Sequence, residues 1–252
     1  MIKKSLAVLS MHKTATVLQE KIFKYMADSI GVEYYKYFDV QQKKHNINYP
    51  CIITDRFIQK KDSNIFDVIL IIRHPINRLI SEYYSFGWTH PDSLDWIFDI
   101  DQRIIQLEKF KKRRDKIRTN SLDDYIVNNI INKKQQYEEA LKYKESLVIP
   151  YEFMMVNPIK FFDIISEKVG REDLSLNLYE NFKEEFVFTK DFSEDIVNGK
   201  SKSHKRVLNH VEYMEKLQEE TIKFAYKEIG NILREYNYLC KSYELYYYDF
   251  NY

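Results

Sequence analysis

Residues 67–85 read DVILIIRHPINRLISEYYS. Val68 to Ile72 form an uninterrupted apolar run, as a strand covered on both faces requires. Arg73 and His74 end that run. Pro75 suits the first turn of a helix, where its missing N–H costs nothing, and from Asn77 onward Leu79, Ile80, Tyr83 and Tyr84 resume helical spacing. A buried strand that passes through a basic turn into a helix is the building unit of α/β proteins. Its turn is also where such proteins take up phosphate, because a helix N-terminus carries unpaired N–H groups and a partial positive charge.

A second unit of this kind opens the chain. Residues 5–18 read SLAVLSMHKTATVL, and the apolar run 5–10 has the length of a central strand. Val17, Leu18, Ile22, Phe23 and Met26 then fall at helical spacing across 16–30. In the intervening turn His12 and Lys13 bring charge, and Thr14 and Thr16 bring hydroxyl donors. Two readings of the turn stand: a phosphate grip, or an ordinary strand-to-helix turn whose threonines cap the helix. GxxxxGK[ST] is absent everywhere, which weakens an ATPase or kinase reading. Two anion sites on successive strands point to a nucleotide with phosphate at both ends.

The rest of the chain fits one large α/β domain spanning residues 1–252. Further strands are expected at Tyr34–Val40, Cys51–Thr54 and Leu147–Ile149, and Pro158 and Gly170 mark the start and stop of a helix running to about Val169. Residues 92–145 are charged and helical with no strand signal. They read as an insertion of two or three segments, one starting at Asn120 or Ser121 with acidic residues in its first turn. Residues 188–209 read as a mobile loop, and His210 to about Tyr236 as one long amphipathic helix. The aromatic tail, about 237–252 and ending YELYYYDFNY, is expected to pack on the body or on a second copy of the chain.

Composition narrows the class. The net charge of +1 gives no global attraction to nucleic acid or to an acidic membrane, so anion affinity must be local. Cys51 and Cys240 are the only cysteines and read as free buried thiols. The apolar run near the N-terminus is interrupted after about seven residues, without a cleavage signal, and no stretch approaches the ~18 apolar residues of a membrane span. A cytoplasmic protein is expected. No His/Cys/Asp/Glu spacing argues for a metal site.

Taken in order, the two turns resemble those of sulfotransferases that use 3′-phosphoadenosine 5′-phosphosulfate (PAPS) and release 3′-phosphoadenosine 5′-phosphate (PAP). RHPINRLIS satisfies every fixed position of that family's 3′-phosphate motif, RxPxxRxxS, through Arg73, Pro75, Arg78 and Ser81. Physically, a forked guanidinium and a hydroxyl on the adjoining helix can converge on one phosphate; alternatively Arg73 and Arg78 pair with acids such as Glu82 while Ser81 faces solvent. HKTATV resembles the family's 5′-phosphosulfate loop, which implies nucleotide contacts from His12, Lys13, Thr14, Ala15, Thr16 and Val17. Ala15 stands where Gly is usual, and is tolerable only if its φ is negative; Val17 stands where a second hydroxyl is usual.

LVIPYEFMMVNPIKFFDIISEKVG (147–170) resembles the family's strand, YEDL, NP and helix. The resemblance places Tyr151 on the adenine, with Phe153 replacing the usual Asp; a Tyr packed in the core at a strand end is the alternative. GKSKSHKRVLNH (199–210) stands where a basic loop closes over the 3′-phosphate, which would use Lys205 and Arg206, or it is a solvated basic loop. The basic run KFKKRRDKIR (109–118) reads as a solvated helix face or a guide for an acidic acceptor.

The resemblance implies a three-layer, P-loop-like sulfotransferase fold: a central parallel sheet flanked by helices, with a helical insertion. It implies sulfuryl transfer from PAPS to a hydroxyl of a carbohydrate or other small molecule, without a metal. Lys13 would stabilise charge on the transferring group. Asp55 ranks first as general base, ahead of Glu20 and His12, although it could pair instead with Arg56 or Lys60. Tyr83, Tyr84, Phe86 and Trp88 could stack on a sugar or fill the core. A nucleotide kinase of related fold and a non-enzymatic nucleotide-binding or nucleic-acid-binding module are the competing readings; the first reading expects no nucleic-acid partner.

Overall fold

The computed structural model describes residues 4–11, 13–36, 48–55, 65–89, 99–141, 146–187, 197 and 212–245. They pack as two compact units. The first draws on the described residues within 1–74, 134–187 and 231–250, and the second on those within 75–133 and 188–230.

The first unit holds the sheet. Strands β1 (Ser5–Ser10), β2 (Glu33–Lys36), β3 (Cys51–Asp55), β4 (Phe66–Ile72) and β5 (Leu147–Pro150) lie in the order β2-β3-β1-β4-β5, with every pairing parallel. β1 is central and wholly buried, as its unbroken apolar run demands. β2 lies at one edge, and each of its residues keeps some exposure. It covers only the start of the expected Tyr34–Val40 strand; residues 37–40 lie outside the described residues.

Helix α1 (Thr16–Ile30) returns from β1 and buries Leu18, Ile22, Phe23, Met26 and Ala27. The chain visits β2 and β3 on one side of β1 before crossing to β4 on the other. That reversal of strand order is the topological switch point, and in open parallel sheets the crevice beyond the carboxyl ends of the strands at such a point takes ligand. The expected α/β architecture with a central parallel sheet is therefore present.

Sequence signals explain the helices. In the second unit Pro75 opens α2 (Pro75–Tyr84), which runs into a π-helical turn, Ser85–Thr89. Among the described residues the insertion holds two helices, α3 (Ile100–Thr119) and α4 (Leu122–Leu141), the latter continuing into the first unit. Ser121 caps α4: its Oγ accepts the Asp124 N–H at 3.0 Å and donates to the Asp124 carboxylate at 2.7 Å, with Asp123 also in the first turn.

In the first unit α5 (Tyr151–Val156) follows β5 directly, and then come α6 (Pro158–Lys168) and α7 (Leu174–Phe182), which ends in a 3₁₀ turn, Lys183–Phe186. Gly170, at φ 66°, closes α6 through N–H bonds from Gly170 to Glu167 O and from Arg171 to Ser166 O.

The long helix expected from His210 is instead two. α8 (Glu212–Lys216) stops at Leu217 and Gln218, and α9 (Glu219–Ser242) begins after them and runs past Tyr236. The Gln218 N–H bonds the Asp123 carboxylate at 2.9 Å, which satisfies the chain at the break, and α9 itself departs from helical geometry at Ile229. Periodicity persisted across both features because the apolar stripe did. Of the aromatic tail, Tyr243 donates to Val148 O at 2.7 Å and Leu245 is buried. Both cysteines are free and buried. The expected loop at 188–209 lies outside the described residues except for Val197.

Leu9 is fully buried on the central strand. Leu9→Ala should lower the free energy of unfolding by about 3 kcal/mol, read as a lower denaturation midpoint in urea with an unchanged slope.

Candidate functional site

Four strand ends place the candidate residues on one edge of the sheet in the first unit. β1 runs into the Lys13–Ala15 turn, β3 ends at Asp55, β4 is followed by Arg73, and β5 is followed by Tyr151. Because the strands are parallel and adjacent, all four carboxyl ends face the same way. Asp55 sits beside Leu9 in register, and Ile71 sits beside Ser10.

Arg73 joins these ends. It is 7% exposed; its guanidinium donates to Lys13 O at 3.1 Å and lies over the Tyr151 ring at 4.7 Å. The two anion motifs and the Tyr151 segment thus meet on a single cation. A guanidinium suits the task because it keeps its charge when buried, forks its donors and stacks on aromatic faces.

The β1 turn differs from its expected backbone. Ala15 has φ 55° and Lys13 φ 72°, so the negative φ expected at Ala15 is overturned. Only Gly adopts this left-handed geometry freely, and it costs other residues about 1–2 kcal/mol. The turn holds it through buried contacts. Thr14 is fully buried and donates to Met11 O at 2.6 Å, while the Gln19 side-chain amide donates to Thr14 O. The Thr14 hydroxyl proton therefore serves the loop itself. Thr16, half-buried, starts α1; the first bond back into the turn is Gln19 N–H to Ala15 O, and the amides ahead of it have no acceptor within the helix. Left-handed residues in such a turn can direct successive N–H groups to one side as an anion nest. Val17 is exposed at its rim.

Behind Arg73 lies a buried polar cluster that the motifs did not mark as site residues. Glu152, fully buried, accepts the His74 backbone N–H at 3.2 Å and the Tyr236 hydroxyl. Tyr137 donates to Arg73 O at 2.8 Å, and the His74 and Tyr236 rings meet edge to face at 5.6 Å. Burial pushes the Glu152 carboxyl above its ordinary range while the Arg73 charge opposes it; burial, with Arg73 adding to it, pushes His74 down to about 3. His74 is thus a neutral strut. A Glu immediately after Tyr151 and a Tyr on the apolar stripe of the last helix were the available signals, and each also fits core packing.

Among the alternative bases, Glu20 is held by Lys36 at 2.7 Å, whereas Asp55 is buried at the strand end. His12, Lys205 and Arg206 lie outside the described residues. Ser81 is half-buried on α2 in the second unit. Arg78 pairs with Glu82 at 3.4 Å, and Glu82 also meets Lys133 at 3.0 Å, so within RHPINRLIS this second arginine takes the acid-paired alternative. Tyr83 packs against Tyr84, Trp88 and Tyr125 at 5.1–5.5 Å, the core-filling alternative for that residue.

Among the described residues no His/Cys/Asp/Glu group is placed to hold a metal ion, and no helix is long and apolar enough to cross a membrane. No protein-family model and no curated protein matches the chain. Solved structures do. Mouse sulfotransferase SULT7A1, complexed with PAP, is 11% identical over 96% of this chain and 88% of its own, with a TM-score of 0.57. The chain has the sulfotransferase fold. Retinol dehydratase in a complex with retinol and PAP is also similar, at 11% identity over 93% of this chain and 82% of its own, with a TM-score of 0.47. On this sulfotransferase fold the Lys13 turn, Arg73 and Tyr151 converge at the sheet's carboxyl edge.

Ala15→Gly should relieve the turn and raise Tm by about 2 °C in a thermal melt, since relief of the left-handed strain outweighs the added flexibility of the unfolded chain. The lowered pKa of His74 fixes a pH effect. Between about 3 and 6.5 the unfolded chain binds a proton that the folded chain refuses, so stability falls as pH drops through that window, by up to about 1.4 kcal/mol per unit. The raised Glu152 acts with the opposite sign, so the comparison must isolate His74. Chemical denaturation at pH 7 and pH 4.5 should show a smaller loss for His74→Gln than for the unaltered chain.

Proposed function

We propose that the chain is a PAPS-dependent sulfotransferase acting on a hydroxyl of a carbohydrate or another small molecule. The observation that carries this reading is Arg73, buried at the end of β4, bonded to Lys13 O and stacked on Tyr151. A strained basic turn, a braced arginine and an aromatic face fit a nucleotide bearing phosphate at both ends. The sulfotransferase fold supports the same reading.

When bound, the donor would supply the sulfuryl group: the acceptor oxygen would bond to sulfur as sulfur's bond to the bridging phosphate oxygen breaks, and PAP would leave. The amides at the start of α1 and the Thr16 hydroxyl hold its 5′ end. Lys13 places a full positive charge where negative charge grows on the bridging oxygen, and alignment with charge stabilisation is most of what such a transfer needs. Arg73 holds the 3′-phosphate, and Tyr151 packs against the base. Ser81, Lys205 and Arg206 enter through the sequence motifs alone.

Asp55 takes the acceptor's proton. It stands buried at the end of the strand next to β1. A positioned carboxylate can serve as a general base.

The test is an assay of PAP release from PAPS with glycans, alcohols and phenols as acceptors, alongside PAP titration by calorimetry. Lys13→Ala should cut turnover by about 10²-fold or more and Asp55→Asn by a similar factor, while Arg73→Lys should weaken PAP binding about tenfold at little change in Tm. PAP binding indifferent to both Lys13→Ala and Arg73→Lys would remove the assignment.

A further inference from the structure

The peptide that joins Arg73 to His74 lies past the end of β4 at Ile72 and before the start of α2 at Pro75. Both residues are buried, so its carbonyl and its N–H need partners inside the protein. Two side chains supply them. The Tyr137 hydroxyl, on α4, donates to Arg73 O at 2.8 Å, and the Glu152 carboxylate, on α5, accepts the His74 N–H at 3.2 Å. These partners stand 64 and 78 positions further along the chain, so only the finished fold brings them to the two sides of one peptide.

Glu152 is itself held. Its other carboxylate oxygen accepts the Tyr236 hydroxyl from α9, and the Arg73 charge favours its ionised form against the cost of burial. The residue before it, Tyr151, carries the ring over which the Arg73 guanidinium lies at 4.7 Å. Consecutive residues of α5 thus grip the same arginine at opposite ends, Tyr151 at the guanidinium and Glu152 at the backbone. The guanidinium is tied once more, by its bond to Lys13 O at 3.1 Å.

A buried peptide anywhere in a core needs two hydrogen bonds, and packing alone would account for them. The side chain that leaves this peptide sets it apart. Arginine has several rotatable bonds, and ordering them costs entropy that is otherwise lost when a ligand binds. Its forked donors also meet a phosphate well only in a narrow range of orientations. Fixing the root of the side chain as well as its tip removes both costs in advance.

We propose that Tyr137 and Glu152, the latter steadied by Tyr236, are positioning residues for the 3′-phosphate: by holding the Arg73–His74 peptide they set the guanidinium before the nucleotide arrives. They act through Arg73 and not by touching the nucleotide. All of these residues belong to the first unit, and the inference rests on the proposed assignment of Arg73 to the 3′-phosphate.

Calorimetric titration of the whole chain with PAP and with adenosine 5′-phosphate, which lacks only the 3′-phosphate, tests it. The unaltered chain should bind PAP about tenfold or more tightly than adenosine 5′-phosphate. Tyr137→Phe should cut that preference about fivefold through weaker PAP binding, with affinity for adenosine 5′-phosphate held within about twofold and Tm within about 4 °C. Glu152→Gln, which keeps an acceptor for the His74 N–H, should retain more of the preference than Glu152→Leu, which removes it. Equal losses for both nucleotides, or a preference that depends on Arg73 yet survives Tyr137→Phe and Glu152→Leu, would overturn the positioning role alone. PAP that binds the unaltered chain no better than adenosine 5′-phosphate, or a preference indifferent to Arg73→Lys, would remove the Arg73 assignment and the positioning role together.

Discussion

One buried guanidinium ties the first unit together at the carboxyl edge of its sheet. Arg73 follows the last apolar residue of β4, reaches across to the carbonyl of Lys13 beyond β1, and covers the ring of Tyr151 beyond β5. Burying a charge is expensive unless its surroundings answer it. Here the answer comes from a carbonyl, an aromatic face and the Glu152 carboxyl, whose own burial penalty Arg73 offsets. Tyr137 and Tyr236 then fix the backbone of Arg73 and the carboxyl of Glu152. An interaction of this kind adds little net stability, but it sets the relative positions of three strand ends.

The strained turn follows from the same constraint. Left-handed backbone at Lys13 and Ala15 persists only where neighbouring contacts over-determine it. Thr14 and Gln19 hold the turn from within, and Arg73 holds it from β4. The parallel sheet makes this possible, since the order β2-β3-β1-β4-β5 brings the carboxyl ends of β1, β3 and β4 side by side. The turn after β1, the arginine after β4 and the buried Asp55 then come from adjacent strands.

Much of this was legible in the chain. Unbroken apolar runs at Leu6–Leu9 and Val68–Ile72 marked buried parallel strands, because only strands covered on both faces can dispense with alternation. Ser121, Pro158 and Gly170 marked helix ends through chemistry that is local. The backbone sign at Ala15 was not legible: whether an alanine tolerates positive φ depends on Thr14 burial and on a contact from a residue sixty positions away. The break at Leu217–Gln218 escaped for a related reason, since the apolar stripe keeps its phase while Asp123, from another helix, satisfies the chain. Glu152 and Tyr236 were hidden because a buried acid is informative only once its partners are known.

The β4 arginine also explains why RHPINRLIS divides in role. Arg73 belongs to the sheet edge, whereas Arg78 is spent on Glu82 and Lys133 within the second unit. The most direct measurement is a crystal structure of the chain with PAP bound. The 5′-phosphate should rest on the turn from Lys13 to Thr16, with Arg73 within hydrogen-bonding distance of the 3′-phosphate and the adenine against Tyr151. PAP bound elsewhere, or bound with neither Lys13 nor Arg73 on a phosphate, would contradict that assignment.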